Sequence, residues 1–428
     1  MRTPERGVVV GIVVAVAVAL RWGFVASAQI LSPLRADAGQ YALYAKNLVE
    51  HGVYSLATSA PPAPDSFRSP GYPFVLAICR LLGGEGGWQT VAVVLQVVLG
   101  SLTVLLAYRL ARSFLPFAPS LAAAALCALS PHLVVSCGYV LTECVTTFAV
   151  VAGLWLCADV QSRWRCTAAA LTLGAAVLCN ESFVFLPFVV AFGLRRMGTR
   201  RTGAFLLLAL APFSLWALRN QTTTLARTGG ERAIASISHG SYPGMVFHDP
   251  RLVGYPYHED PEQPAFGSSW AKLREVLGAR VAADPVRYVV WYALEKPLWL
   301  WRWDLVQGRD VQVYDVANSP YERQAVVMGT HWLMRWLHVP VMLLAAVGAL
   351  VSAWNRGGRS VGTPQVLGLV AVFGTLAYLP VIPDPRYLQP IRPVLFVLAG
   401  CAAAAVWQVA STWRRAVGAE SAPSTHIA

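Results

Sequence analysis

Charge is what this 428-residue sequence has least of: only 13% of its residues are Asp, Glu, Lys or Arg, about half the share of a soluble globular chain. Lysine almost vanishes, since Lys46, Lys272 and Lys296 are the only three among 34 basic residues. The eight cysteines include no C-x-x-C pair, and most lie in apolar stretches (Cys127, Cys157, Cys166, Cys179, Cys401). That excludes a zinc ribbon and a disulfide frame and leaves small buried hydrophobes. There is also no D-x-D, no glycine-rich phosphate loop and no G-x-S-x-G. Nucleotide-sugar transfer, kinase chemistry and serine hydrolysis therefore lack their usual motifs.

What the chain has is apolar length. It is 56% hydrophobic with a positive mean hydropathy, the composition of a protein that crosses a membrane many times. A net charge of +12 raises nucleic-acid binding as a question, but the arginines sit in pairs beside apolar stretches, where topology asks for them. No nucleic-acid partner is expected. The first 29 residues have the basic head, apolar run and Ala26-Ser27-Ala28 of a signal peptide. With nine further apolar spans behind them they read as a retained membrane helix.

Stretches long enough for a ~30 Å hydrocarbon core fall at 7–29, 89–111, 116–136, 139–159, 203–219, 333–354, 363–382 and 390–411. Residues 167–194 are too long for one span. Arginines flank them on both sides, at Arg163 and Arg165 and again from Arg195 to Arg201, so a hairpin broken at Asn180-Glu181-Ser182 keeps both clusters on one side. The resulting ten spans place both termini in the cytoplasm, with fourteen arginines on inner segments against Arg386 and Arg392 on short outer ones. The expected organisation is an N-terminal membrane module, 1–219, with an outer loop at 30–88. A large outer segment at 220–331 follows, and then C-terminal spans and a short tail, 332–428. Within 284–303, Asp284 and Pro285 form an N-cap and N1 pair. The six Trp and Tyr that follow suggest a helix lying in the interface.

On that topology the unusual polar residues share one end. They are Asp37 and Arg68 on the first outer segment, Glu143 at the entry of the fourth span, and Asn180-Glu181 at the hairpin tip. Arg219-Asn220 close the seventh span, and Asp384, Arg386 and Tyr387 form the last outer turn. An ionised residue facing lipid near mid-membrane costs roughly 2.5–3.5 kcal/mol, so such a group reads as the lining of a shared polar cavity. In "RADAGQYALYAKNLVEHGVY", Asp37, Tyr41, Tyr44 and Leu48 share a helix face. Asp37 and Gln40 fit a capping-box variant; they also fit a carboxylate presented for chemistry. His248, Asp249, His258, Glu259 and Asp260 match no ligand spacing and read as solvated loop residues. His132 reads as capped or interfacial.

The pieces "ADAGQYALYAKNLVEHGVYS", "RSPGYPFVLA", "LTE", "WALRN", "DPVRYVVWYALEKPLWLW" and "PRYLQPIRPVLFVLAG" run in order through most of the chain. Together they resemble the GT-C glycosyltransferases that use lipid-linked sugars, of the kind that includes the lipid A aminoarabinose transferase and the protein O-mannosyltransferases. The resemblance implies an all-α polytopic membrane bundle and inverting sugar transfer from a polyprenyl-phosphate donor to a lipid, glycan or protein acceptor. It places that chemistry on the outer face of the cell membrane, with Asp37 as general base. Where many relatives carry a second acid this chain has Ala38, which puts a two-carboxylate role in doubt. Arg68, Arg219 and Arg386 are the candidates for the donor phosphate. Tyr41, Tyr44, Glu143, Asn180, Glu181, Asn220, Asp384 and Tyr387 are the candidates for the lining. No metal or other cofactor is expected, because the leaving group is a lipid phosphate. The competing reading is a transporter or flippase for lipid-linked glycans, kept open by the broken hairpin.

Overall fold

The computed structural model describes residues 3–159, 162–193, 198–246, 260–354 and 363–420, with side chains described between residues 4 and 412 of those segments. His248, Asp249, His258 and Glu259, and several inner arginines (Arg2, Arg195, Arg196, Arg356, Arg359), fall outside these, and Arg414 and Arg415 are described in backbone only.

The chain is helical almost throughout. In order, the N-terminal half comprises α1 (Thr3–Ser27), α2 (Asp37–His51), α3 (Gly71–Arg112), α4 (Phe117–Leu129), α5 (Pro131–Val135), α6 (Glu143–Leu156), α7 (Arg163–Cys179), α8 (Leu186–Gly193) and α9 (Thr199–Thr222). A cap of shorter helices follows: α10 (Gly229–Ser241), α11 (Gln263–Phe266), α12 (Trp270–Ala283), α13 (Pro285–Val290), α14 (Lys296–Leu300) and α15 (Pro320–Arg323). Three helices close the bundle: α16 (Ala325–Trp354), α17 (Thr363–Tyr378) and α18 (Arg392–Glu420). Each of the ten apolar stretches carries helix. Among the described residues, five helices are long and apolar enough to cross a membrane by themselves: Pro4–Ser27, Gly71–Arg112, Thr199–Thr222, Ala325–Ala353 and Pro385–Thr412. The others are shorter, such as α4, α8 and α17.

The first outer segment holds more helix than the sequence suggests, because α3 begins at Gly71. It bends at Gly84, whose φ of 62° few residues other than glycine adopt. The start of α3 packs on the end of α7 so closely that a Cβ at Gly71 would stand 2.6 Å from the Cys179 nitrogen. Only glycine fits there, and the contact fixes the segment that carries Arg68 against the hairpin tip. The hairpin itself breaks at Asn180, which has extended backbone and whose Oδ1 accepts from the Ser182 amide at 3.1 Å.

Polar groups inside the bundle tie helices together, as an apolar solvent requires. Arg21 in α1 donates to the carbonyls of Ala17, Cys127 and Ala128 at 3.1–3.4 Å, filling acceptors at the end of α4. Gln96 in α3 accepts from Tyr72 and donates to the carbonyls of Cys137 and Tyr139 at 3.0 and 2.9 Å, which fixes the turn leading to Glu143. His132 is fully buried with Nε2 2.8 Å from the Trp303 carbonyl, a structural histidine.

At the Asp37 end, β1 (Gln29–Ile30) pairs antiparallel with β2 (Val316–Ala317), and the Tyr314 hydroxyl donates to the Arg35 carbonyl at 2.9 Å. The last part of the 220–331 segment is thus strapped over the entry to α2. Asp284 caps α13 as its sequence suggests, accepting from the Arg287 amide at 3.0 Å. One π-helical turn, Trp291–Glu295, joins α13 to α14. Val286, Val289, Leu294 and Leu298 then form an exposed apolar stripe. One expectation fails here. Asp260 is not a solvated loop residue: it is buried, holds Ser238 and Tyr242, and lies 3.7 Å from Arg280, because α10 and α12 close over it.

Candidate active site

Asp37 opens α2 but does not cap it. The residue before the helix is Ala36, and no side-chain cap bond is made. Ala36 takes φ 49°, uncommon without a glycine and costing on the order of 1–3 kcal/mol. That turn swings Asp37 inward, and its carboxylate is taken by two arginines. Arg68 Nη2 donates to Oδ1 and Arg386 Nη2 to Oδ2, each at 2.6 Å. The capping reading is therefore replaced by a tertiary one: Gln40, its supposed box partner, accepts from Arg68 Nε at 2.6 Å.

Arg386 does more than hold Asp37. Its Nε lies 2.7 Å from Glu143 Oε1, so one guanidinium from near the end of the chain bridges two carboxylates of its N-terminal half. Glu143 Oε2 is buried with no hydrogen-bond partner of its own. Arg386 is placed by Asp384, which is fully buried and accepts from the Arg386 amide at 2.9 Å and the Gln307 amide at 2.8 Å. Tyr387 stacks on Tyr378 with centroids 5.3 Å apart, and Arg386 lies 5.4 Å from the Tyr387 ring centroid. Asn180 donates to the Tyr378 hydroxyl at 3.2 Å, bringing the hairpin tip to the same wall.

On the opposite side Arg68 lies 5.5 Å from the centroid of Tyr41, whose ring meets Tyr72 edge-on. Beyond it is a residue the sequence reading did not single out. Arg232, in the first turn of α10, pairs with Glu181, which also accepts from Ser69. Arg232 is close enough to act electrostatically on both Asp37 and Tyr41. A local signal for it exists: Thr228 and Glu231 form a capping box, which starts a helix and puts Arg232 at its head. Nothing local says that the helix faces Asp37.

The electrostatics follow from this packing. Burial alone would raise the Asp37 pKa, but Arg68 and Arg386 overcome it and hold the carboxyl well below the usual carboxylate range. A depressed pKa stabilises the fold above the ordinary carboxylate value and stops doing so only as pH falls through the folded one. Asp37 is thus ionised at every working pH, with its side chain still 24% exposed.

Three candidates lie elsewhere. Tyr44 is fully buried, bonded to Asp65 and stacked on Tyr54, so it braces the loop before Arg68 and lines no open space. Arg219 donates to the Asp65 carbonyl at 2.8 Å and to Asn220 at 3.0 Å. The structure brings neither Arg219 nor Asn220 to Asp37; both hold the loop that carries Arg68.

No protein family and no curated protein matches the chain. Solved structures do. The oligosaccharyltransferase AglB from Archaeoglobus fulgidus, in complex with an inhibitory peptide and a dolichol-phosphate, aligns over 98% of this chain at 14% identity with a TM-score of 0.52. This chain spans about half of that one, 52%. ArnT from Cupriavidus metallidurans aligns over 92% of this chain and 59% of its own, at 14% identity and a TM-score of 0.49. The Pmt1-Pmt2 protein O-mannosyltransferase complex of S. cerevisiae, bound to the sugar donor, aligns over 56% of this chain and 37% of its own, at 17% identity and 0.39. This helical membrane chain is thus folded like the GT-C glycosyltransferases.

Proposed function

We propose that this protein is a glycosyltransferase that moves a sugar, with inversion, from a polyprenyl-phosphate donor to a lipid, glycan or protein acceptor. The reaction takes place at the outer face of the cell membrane, the side opposite the arginine-rich inner segments. The observation that carries this reading is a single ionised carboxylate gripped by two guanidiniums where the first loop meets the last membrane helix. The solved structure of AglB with dolichol-phosphate supports a lipid phosphate as the donor's carrier.

The chemistry runs as one displacement. An acceptor hydroxyl or amine attacks the anomeric carbon, the bond from that carbon to the phosphate oxygen breaks, and the electron pair leaves with the polyprenyl phosphate. Arg68, Arg386 and Arg232 are the guanidiniums in reach to offset the phosphate charge as it grows. Asp37 takes the acceptor's proton. In the empty site Asp37 is a weak base because its two arginines stabilise the anion. A donor phosphate competes for those same donors, loosens their hold on Asp37, and raises its proton affinity once the substrate is in place. Base strength is thereby linked to donor binding.

A transporter would need polar groups along a crossing path. Here the carboxylates and guanidiniums grouped around Asp37 sit together at one end, which favours chemistry from one side. The test uses protein in liposomes supplied with labelled polyprenyl-phosphate sugar. Cleavage of the donor that depends on an added acceptor is the expected result; label crossing the bilayer with the donor intact would point to a flippase. In the same assay Arg232→Ala should weaken donor use by the ~1.5–3 kcal/mol of a charged hydrogen bond, roughly 10- to 150-fold. Unchanged donor use would remove Arg232 from the site.

A further inference from the structure

Cys137 and Cys144 face each other across the turn that leads into α6, with their sulfurs 3.7 Å apart. Both are free thiols, and both are buried, at 0% and 3% exposure. Gln96 pins the turn between them. Its side chain donates to the Cys137 and Tyr139 carbonyls, and its own carbonyl accepts from the Cys144 thiol at 3.2 Å. No other two cysteine sulfurs among the described residues come within hydrogen-bonding distance. The pair is a single close contact rather than part of a disulfide frame, and the turn holds it in place.

Beside the two thiols lies a buried cation. Arg21 spends Nη1 and Nη2 on the carbonyls of Ala17, Ala128 and Cys127, pairs with no carboxylate among the described residues, and leaves Nε buried without an acceptor. Gly100 lets the guanidinium and the thiol approach, since a Cβ there would stand 2.6 Å from the Cys137 sulfur and 3.0 Å from Arg21 Nε. The hydrogen bond from the Cys144 thiol and the charge of Arg21 outweigh burial and hold the Cys137 thiol below its ordinary range. A thiol so placed is more often the reactive thiolate. A void of about 10 Å³, lined by Arg21, Gly100, Ser136, Cys144 and Thr147, lies against the pair. It has room for a molecule of about the size of water, and its hydroxyl and guanidinium walls suit a polar one.

We propose that Cys137 and Cys144 are a modification site at which hydrogen peroxide oxidises the two thiols to a disulfide. Peroxide is uncharged and scarcely larger than water, whereas a protein disulfide cannot reach sulfurs this deeply buried. The Cys137 thiolate attacks one peroxide oxygen, the O–O bond breaks, and the departing hydroxide takes up the thiol's proton as water. The Cys144 sulfur then attacks the sulfenic acid so formed, the S–O bond breaks, and the second hydroxide leaves as water with the Cys144 proton. Two thiols and one peroxide give one disulfide and two waters, with two electrons passing from sulfur to oxygen. The bond closes a ring over residues 137–144 and braces the first turn of α6, which presents Glu143 to Arg386. The covalent step stands whether or not the chain is a transferase.

The test starts from the fully reduced full chain in detergent, treated with hydrogen peroxide, quenched with maleimide and mapped by peptide mass spectrometry. Wild type should yield peptides joined through Cys137 and Cys144, while the other six cysteines stay labelled as thiols. Cys144→Ser should stop at a Cys137 sulfenic acid that dimedone traps, and Cys137→Ser should give no joined peptide. Arg21→Gln should slow joining roughly tenfold, the effect of about one unit in the thiol pKa. Arg21→Lys, which keeps the charge, should recover most of that rate. The serine variants leave Arg21 and its carbonyl bonds in place, so they decide the matter even where the Gln variant fails to fold. Wild-type protein whose Cys137 and Cys144 stay labelled, or are oxidised no faster than the other six, would overturn the proposal. Joining at an unchanged rate in folded Arg21→Gln protein would overturn the assignment of Cys137 as the attacking thiolate.

Discussion

Asp37→Asn should lower sugar transfer by about 10²–10⁴-fold, the range for loss of a general base, while donor binding is kept or tightened. Asparagine keeps the shape of the side chain but neither carries the charge nor accepts a proton. Its effect on stability is moderated by the way the two arginines are held. Arg68 keeps Gln40 and Arg386 keeps Glu143, so neither guanidinium is stranded. The loss is expected to stay near the ~1.5–3 kcal/mol of a charged hydrogen bond, below the ~3–5 kcal/mol for orphaning a buried charge. With the anion gone, both guanidiniums are freer for phosphate, and polyprenyl phosphate should bind at least as tightly. Initial rates and equilibrium binding measured on one preparation separate the two effects. An Asn variant that transfers at the wild-type rate would end the role of Asp37 as base and leave Glu143 as the next carboxylate to test.

The largest loss of stability is expected at Arg386→Ala. This residue bridges Asp37 and Glu143, and its removal leaves Glu143, with one oxygen already unpartnered in a buried site, without its cation. Leaving a buried charge uncompensated costs ~3–5 kcal/mol, and thermal unfolding in detergent reads it directly. Because such a variant confounds folding with function, the informative protein is the double one. Arg386→Ala with Glu143→Gln removes the stranded anion together with its partner, so much of the stability should return. Transfer should not, because the phosphate still lacks a guanidinium. Arg386→Lys keeps the charge but loses the fork that reaches both carboxylates, and should fall between wild type and alanine on both measures. Recovery of transfer along with stability in the double variant would make Arg386 a purely structural residue.

Much of the architecture was legible because membranes make polar residues expensive. The break at Asn180 followed from arginine clusters on both flanks of an over-long apolar stretch, and the cap at Asp284 followed from local chemistry alone. The candidate site was legible only as a set of residues at one end. The partners of Asp37 lie 31 and 349 positions away, so a local pattern pointing to a cap was outweighed by tertiary ion pairs that no spacing displays. Arg232 was missed for the same reason: its partner Glu181 belongs to a different helix pair, and only packing brings α10 to the hairpin tip. Arg219 was read as a phosphate ligand and Asn220 as lining because they sit at the right depth, and Tyr44 as lining because it shares a helix face with Asp37. Depth does not fix direction, and the structure turns them toward the Asp65 loop. Asp260 shows the converse, a run of polar loop letters that conceals a buried anion held near Arg280.

One measurement tests the mechanism most directly, the anomeric configuration of the transferred sugar. A donor of defined linkage, labelled at the anomeric carbon, is converted by purified protein, and the product is assigned by nuclear magnetic resonance before it can equilibrate. A single displacement assisted by Asp37 gives a product inverted relative to the donor. A retained configuration would contradict it, since it requires a carboxylate that first bonds to the sugar, and Asp37 and Glu143 would then share the chemistry across Arg386.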